Sequence, residues 1–293
     1  ALQLLNRPAD VEPSVSLHNE LDLPPGLVGE IAKYIYDSAP RQTKEVAIAG
    51  ALGIMAGICG RQFNVSSGVG LNLYIVLLME SGMGKEAAKN GADRLFYGLA
   101  QTNPGVTAFL GPRAVSGPAL EKAVAEHNPC FVTFIGEIGV RLQTMLAKRN
   151  GDPLMKAAWL GLYTAAVRDG RHQGAFHSKK EDRTSDIIFP AVTIFGESTP
   201  AEYYRAISGS NFDDGFVPRF LTISCSETKI KRLNPQRGTP PGEVLLSRLG
   251  AVVQHTIDLQ VRNQHVEVGF GAGITAESLD AYYMEIASAL PGG

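Results

Sequence analysis

The stretch Leu73–Gly91, LYIVLLMESGMGKEAAKNG, sets a lysine behind two glycines at the end of an apolar run. Gly82 and Gly84 let the backbone curl, and Lys85 places a point charge where a helix begins. Curled N–H groups, a helix N-terminus and one ammonium together make a cradle for phosphate. The spaced form of such a loop is G-x-x-x-x-G-K-[ST]. Here Met79 stands at the first glycine and Glu86 at the hydroxyl. The first position only enters the turn, so Met79 is a tolerable departure. Glu86 replaces a hydroxyl that would ligate Mg2+. A carboxylate is also a Mg2+ ligand, yet it adds charge beside the phosphates, so it either reaches the metal through water or points away. The expected nucleotide-binding residues are Glu80, Ser81, Gly82, Met83, Gly84, Lys85 and Glu86. The expected cofactors are ATP and Mg2+.

Hydrolysis needs an acid at the end of a second strand. FVTFIGEIG (131–139) supplies one: Glu137 occupies the position of a catalytic base. Gly136 stands where an aspartate on the metal's water shell is expected, and Glu86 is a candidate to restore that carboxylate. The metal candidates are therefore Glu86 and Glu137. A third strand, AVTIFGEST (191–199), offers Glu197 and Ser198 as sensors of the γ-phosphate. Ser198 or Thr199 equally serves as the cap of the helix that follows. Arg219, in DDGFVPRFLTI, opens a further strand. It reads either as a finger reaching a neighbouring subunit's phosphate or as the partner of Asp213 or Asp214.

A basic run, VRDGRHQGAFHSKKEDR (167–183), carries Arg168, Arg171, Lys179 and Lys180 around Phe176. Cations tracking phosphates beside a ring that stacks on a base suit single-stranded nucleic acid. Asp169, Glu181 and Asp182 dilute the charge, so a solvated loop is the other reading. His172 and His177 lack a third ligand for a metal.

The elements around these residues alternate. The 293 residues are 44% hydrophobic and 19% charged, an ordinary globular profile, and the net charge of −2 gives no global attraction to nucleic acid. Three scattered cysteines read as buried thiols of a reducing cytoplasm. No secretory signal is visible. The uncharged run Val46–Gly60 is 15 residues long, short of the ~20 that span a bilayer, so a buried helix is expected and no membrane partner.

Residues 1–65 read as an arm and a helical preface, with helices after Pro24-Pro25 and from Thr43 to Gly60. Residues 66–228 alternate strand and helix, with strands at 73–78, 106–111, 130–139, 185–196 and 219–226, which calls for a mostly parallel sheet covered on both faces. Residues 229–293 read as a small α+β extension: a linker, a helix from Glu243 to about Thr256, a hairpin turning near Asn263 and a last helix opened by Thr275. With Ala1 at one end and Pro-Gly-Gly at the other, the chain reads as a domain cut from a longer protein. The fold class expected is α/β.

Taken in order, LPPGLVGEIAKYI, LNLYIVLLMESGMGKEA, CFVTFIGEIG, DIIFPAVTIFGESTPAEYYRAI and DDGFVPRFLTI resemble phage-, plasmid- and prophage-encoded replication ATPases. Those proteins carry a domain of unknown function behind primase-type modules in primase–helicases. The resemblance covers about Leu23 to Ser226. It implies a RecA-like P-loop core, a homo-oligomeric ring (a hexamer) and an ATP-driven helicase translocating on single-stranded DNA. It makes Lys85 the phosphate lysine, Glu137 the acidic-strand residue and Arg219 the finger. The alternative is a nucleotide-binding ring scaffold or loading adaptor whose hydrolysis is vestigial.

Overall fold

The computed structural model describes residues 22–147, 151–174, 184–207, 215–225 and 232–269. Within them the chain is an α/β protein whose main sheet has four strands, all parallel, in the order β3-β6-β2-β7. These are β2 (Tyr74–Leu78), β3 (Cys130–Ile135), β6 (Ala191–Ser198) and β7 (Phe220–Ser224). Every residue of β2 is buried, as a continuous apolar run covered on both faces requires.

Side chains alternate along each strand, so the sheet has two distinct faces. Ile75, Leu77, Val132 and Phe195 point into one core with α1 (Gly26–Ser38), α2 (Lys44–Cys59), α3 (Ala87–Ala100) and α8 (Glu243–Val261). Tyr74, Val76, Phe131, Val192 and Ile194 point into the other, with α4 (Gly117–Glu126), α5 (Ile138–Leu146), α6 (Pro153–Thr164) and α7 (Pro200–Ala206). The helical preface is thus a layer on the sheet: α2 packs on β2, β3 and β6. Gly57 makes that contact possible, because a Cβ there would lie 2.6 Å from the Val132 backbone nitrogen. The uncharged run expected to be a buried helix is α2, and among the described residues no helix is long and apolar enough to cross a membrane.

Three expected elements differ. The strand expected at 185–196 divides: β5 (Ile187–Ile188) pairs antiparallel with β4 (Arg171–His172), and Ala191–Ser198 joins the main sheet as β6. Residues 106–111 are not a strand. Pro104–Phe109 is a 3-10 turn, opened by Asn103, whose side chain accepts from Gly105 N–H. Only a single parallel bridge, Leu110 to Val132, touches the sheet. Proline at the first helical position and burial of Val106 and Phe109, three residues apart, favour the turn. The hairpin expected around Asn263 is also absent. Helix α8 continues to Val261, because Leu249, Val253, Thr256 and Leu259 form one buried helical stripe. Asn263 has φ 49°, the left-handed residue that ends a helix instead of one that turns a hairpin. Beyond it β8 (Val266–Glu267) pairs parallel with β1 (Phe63–Asn64). The last helix, expected from Thr275, lies outside the described residues.

Cys59 and Cys130 are buried free thiols and Cys225 is half-buried. Burial pushes the Cys59 thiol up to about 11 and that of Cys130 up to about 12. They are core residues without nucleophilic character.

Candidate functional site

Because β2, β3 and β6 run parallel, their C-terminal ends share one rim, where ligands of open α/β sheets bind. Three segments meet there: the loop 79–86 after β2, Gly136-Glu137 after β3, and Glu197-Ser198 at the end of β6.

The loop leaves β2 at Met79, whose N–H donates to the Ser198 carbonyl at 3.0 Å and whose side chain is buried. Gly82 and Gly84 have φ 76° and 100°, conformations that favour glycine. At Gly84 a Cβ would also sit 3.0 Å from that of Arg41. The chain then turns into α3, with Ala87 N–H donating to the Gly84 carbonyl at 3.0 Å. Among the described residues, no protein acceptor meets the backbone N–H of Gly82, Gly84, Lys85 or Glu86. They precede the N-terminus of α3, where backbone N–H groups suit an anion.

Lys85 is buried within this rim and its Nζ donates to Glu137 Oε1 at 2.9 Å. The Lys85 side chain is 9% exposed and that of Glu137 55%, so the ammonium is held inside and the carboxylate faces outward. Glu137 has φ 51° and occupies the N-cap position of α5, yet its side chain caps nothing. A non-glycine residue in this conformation is uncommon, and its carboxylate is spent on Lys85 instead of its own helix.

Glu197 stands opposite Leu77 on β2 and therefore leaves the sheet on the α3 face, the side of Lys85. Its carboxyl is pushed up to about 7, first by burial, then by Glu86 and Glu137, against the lowering effect of Lys85 and Lys89. Ser198, one residue on, points to the opposite face. It is fully buried, and a Cβ at Gly139 of α5 would lie 2.4 Å from its Oγ. The structure therefore separates the two expected sensors: the Glu197 side chain leaves on the side of Lys85 and that of Ser198 on the side of α5. Thr199 caps α7, its Oγ1 accepting from Glu202 N–H at 3.4 Å. Glu86 is exposed at the start of α3, and Glu80 and Ser81 are exposed in the loop, while Met83 is buried.

A cavity of about 620 Å3 adjoins Glu137 along the outer edge of β3. Lys89, Arg113 and Arg141 line it together with Phe134, Met155 and Trp159. None of these cations was foreseen. The usable signal was Lys89, one helical turn after Lys85.

Other expected site residues lie elsewhere. Arg219 precedes Phe220, which pairs with Tyr74, so it sits at the N-terminal rim, about 20 Å from the loop along the strands. Its guanidinium donates to the Gly215 carbonyl and lies 5.8 Å from the centroid of the Tyr163 ring. Asp213 and Asp214 fall outside the described residues. Arg168 and Arg171 are exposed near the same N-terminal rim. Arg168 N–H donates to the Gly68 carbonyl, ahead of β2, and Arg171 pairs with Asp186. Phe176, Lys179, Lys180 and His177 lie outside the described residues. His172 is engaged by Glu121 at 2.8 Å.

Among the described residues no three His, Cys, Asp or Glu side chains gather closely enough to hold a metal by themselves. No protein-family model matches the chain, and no curated protein matches it.

Proposed function

We propose that the chain binds a nucleoside triphosphate with Mg2+ at this rim and hydrolyses it, as the motor of a ring-forming DNA helicase in mobile-element replication. The observation that carries the reading is the buried Lys85 ammonium meeting Glu137 beside loop amides that meet no acceptor among the described residues. A lysine, an acid from a second strand and an N–H cradle are the three groups that phosphoryl transfer to water demands. In a RecA-like core, β2 carries the loop, β3 the acid, and β6 between them the sensor.

The steps follow from this chain's residues. The N–H groups of Gly82, Gly84, Lys85 and Glu86 hold the phosphate oxygens. Lys85 exchanges Glu137 for the triphosphate, a partner of higher charge. Glu137, released and half-exposed, orients a water and accepts its proton as the water oxygen bonds to the γ-phosphorus. The bond to the bridging oxygen breaks and the diphosphate leaves with the electron pair. Mg2+, when bound, neutralises charge on the transferring group. The buried Glu197 Oε2, which meets no hydrogen-bond partner among the described residues, fits such a cation. Arg219 has no part at its own subunit's loop, so a finger role belongs to contact with a neighbouring ring subunit. DNA contact rests on the exposed Arg168 and Arg171, with the remaining basic run.

The Lys85–Glu137 bond also favours the scaffold alternative, because a base tied to a lysine turns over slowly until something separates them. Phosphate release with and without single-stranded DNA decides. DNA-stimulated release that vanishes in Lys85→Ala supports the motor, and tight ATP binding without release supports the scaffold. ATP binding unaffected by Lys85→Ala overturns both.

A further inference from the structure

Gly136 follows β3 without a side chain, and the group that overhangs it comes from the adjacent strand. A Cβ at Gly136 would meet Glu197 Oε1 at 3.9 Å. The register explains this: Ile135 pairs with Gly196, so the next residue of each strand stands side by side at the rim. Glu197 Oε2 is buried and without a hydrogen-bond partner among the described residues. A buried carboxylate oxygen left unpaired is costly, so it points to a ligand from outside the chain. Lys85 and Glu137 are bonded to each other, and neither is hydrogen-bonded to Glu197.

We propose that Glu197 replaces the acidic side chain missing at Gly136 and faces the divalent cation that accompanies the triphosphate. The inference rests on the nucleotide reading above. Mg2+ keeps several waters and needs only one or two carboxylates when phosphates supply the rest. Glu86, the candidate suggested by the sequence, is exposed at the start of α3 and does not overhang Gly136.

The test is binding of a fluorescent ATP analogue to the full chain, in Mg2+ and in EDTA, for wild type, Glu197→Gln and Glu86→Gln. Wild type is expected to bind more tightly in Mg2+. Glu197→Gln should lose about tenfold or more of its affinity in Mg2+ and none in EDTA, while Glu86→Gln keeps the wild-type ratio. The rise in melting temperature on adding Mg2+ to the nucleotide-bound protein is a second readout and should shrink in Glu197→Gln alone. A wild-type Mg2+-to-EDTA ratio in Glu197→Gln overturns the assignment and leaves the nucleotide reading standing. A wild-type chain that binds no analogue in either buffer overturns the nucleotide reading itself.

Discussion

Lys85 and Glu137 follow strands that do not pair, yet their side chains meet at 2.9 Å because β6 lies between β2 and β3 and all three end at one rim. The contact is unequal: the lysine is inside and the glutamate half outside. Removing the lysine leaves a carboxylate that water can solvate, whereas removing the glutamate leaves a buried ammonium without its partner.

The two sides of this pair should therefore respond differently to mutation. Lys85→Met is expected to cost less than about 1 kcal/mol, the usual worth of a partly exposed pair. Glu137→Gln is expected to cost about 1–3 kcal/mol, the desolvation left unpaid at the buried charge. Urea unfolding of the two variants measures the difference. Equal losses would mean that the lysine is as well solvated as its partner.

Glu197 makes stability depend on pH. Its carboxyl is raised from 4.5 to about 7, so between those values the folded protein holds a proton that the unfolded chain has lost. Stability from this group then falls as pH rises through that window, and the cost is complete above about 7. The gap sets an upper limit near 3 kcal/mol, and partial solvation brings the expectation to about 1–2 kcal/mol. Glu197→Gln, which cannot ionise, should exceed wild type by that amount at pH 8 in EDTA and converge with it near pH 4.5. Melting curves across pH test this, and a difference independent of pH would show that the carboxyl ionises normally in the fold.

Much of this arrangement was legible in the sequence because single strands and helices announce themselves by periodicity. The run Tyr74–Leu78, the helix behind Lys85 and the acid after Phe131–Ile135 stand where their patterns put them. Relations between strands were less legible. Whether Glu197 or Ser198 faces the loop depends on register against β2, and one residue of slip exchanges them. The place of Arg219 depends on which end of β7 lies at which rim, which no local pattern carries. The alternation after Ile257 was misleading because a buried helical stripe ending at Leu259 overlaps it. Gly136 read as a gap in the site, and only the packing of β6 against β3 puts Glu197 over it.

Met79 shows how a departure from a loop pattern can be structural. Its side chain is 1% exposed in the core shared by Leu77, Met83 and Phe195, and its φ is not positive. Glycine's freedom is therefore not needed there. Met79→Gly, which restores the pattern, should destabilise the protein by about 2–5 kcal/mol through the cavity it leaves, without strengthening ATP binding. Tighter nucleotide binding in this variant would show that the methionine obstructs the loop.

Two glycines in helices should respond to alanine with opposite sign. Alanine favours a helix over glycine by about 1 kcal/mol, so the outcome depends on what the new methyl meets. In α2, a Cβ at Gly57 would stand 2.6 Å from both the backbone nitrogen and the Cβ of Val132, and a strand backbone cannot yield as a flexible side chain does. The helix must lift from the sheet, at a cost of about 1–3 kcal/mol or more, which exceeds the gain. In α8, a Cβ at Gly250 would meet Leu99 Cδ2 at 3.5 Å, an ordinary contact, so the helical preference acts without opposition. Gly57→Ala is expected to lower the urea midpoint and Gly250→Ala to raise it. A neutral or stabilising Gly57→Ala would mean that α2 does not lie against β3 as closely as the site's geometry requires.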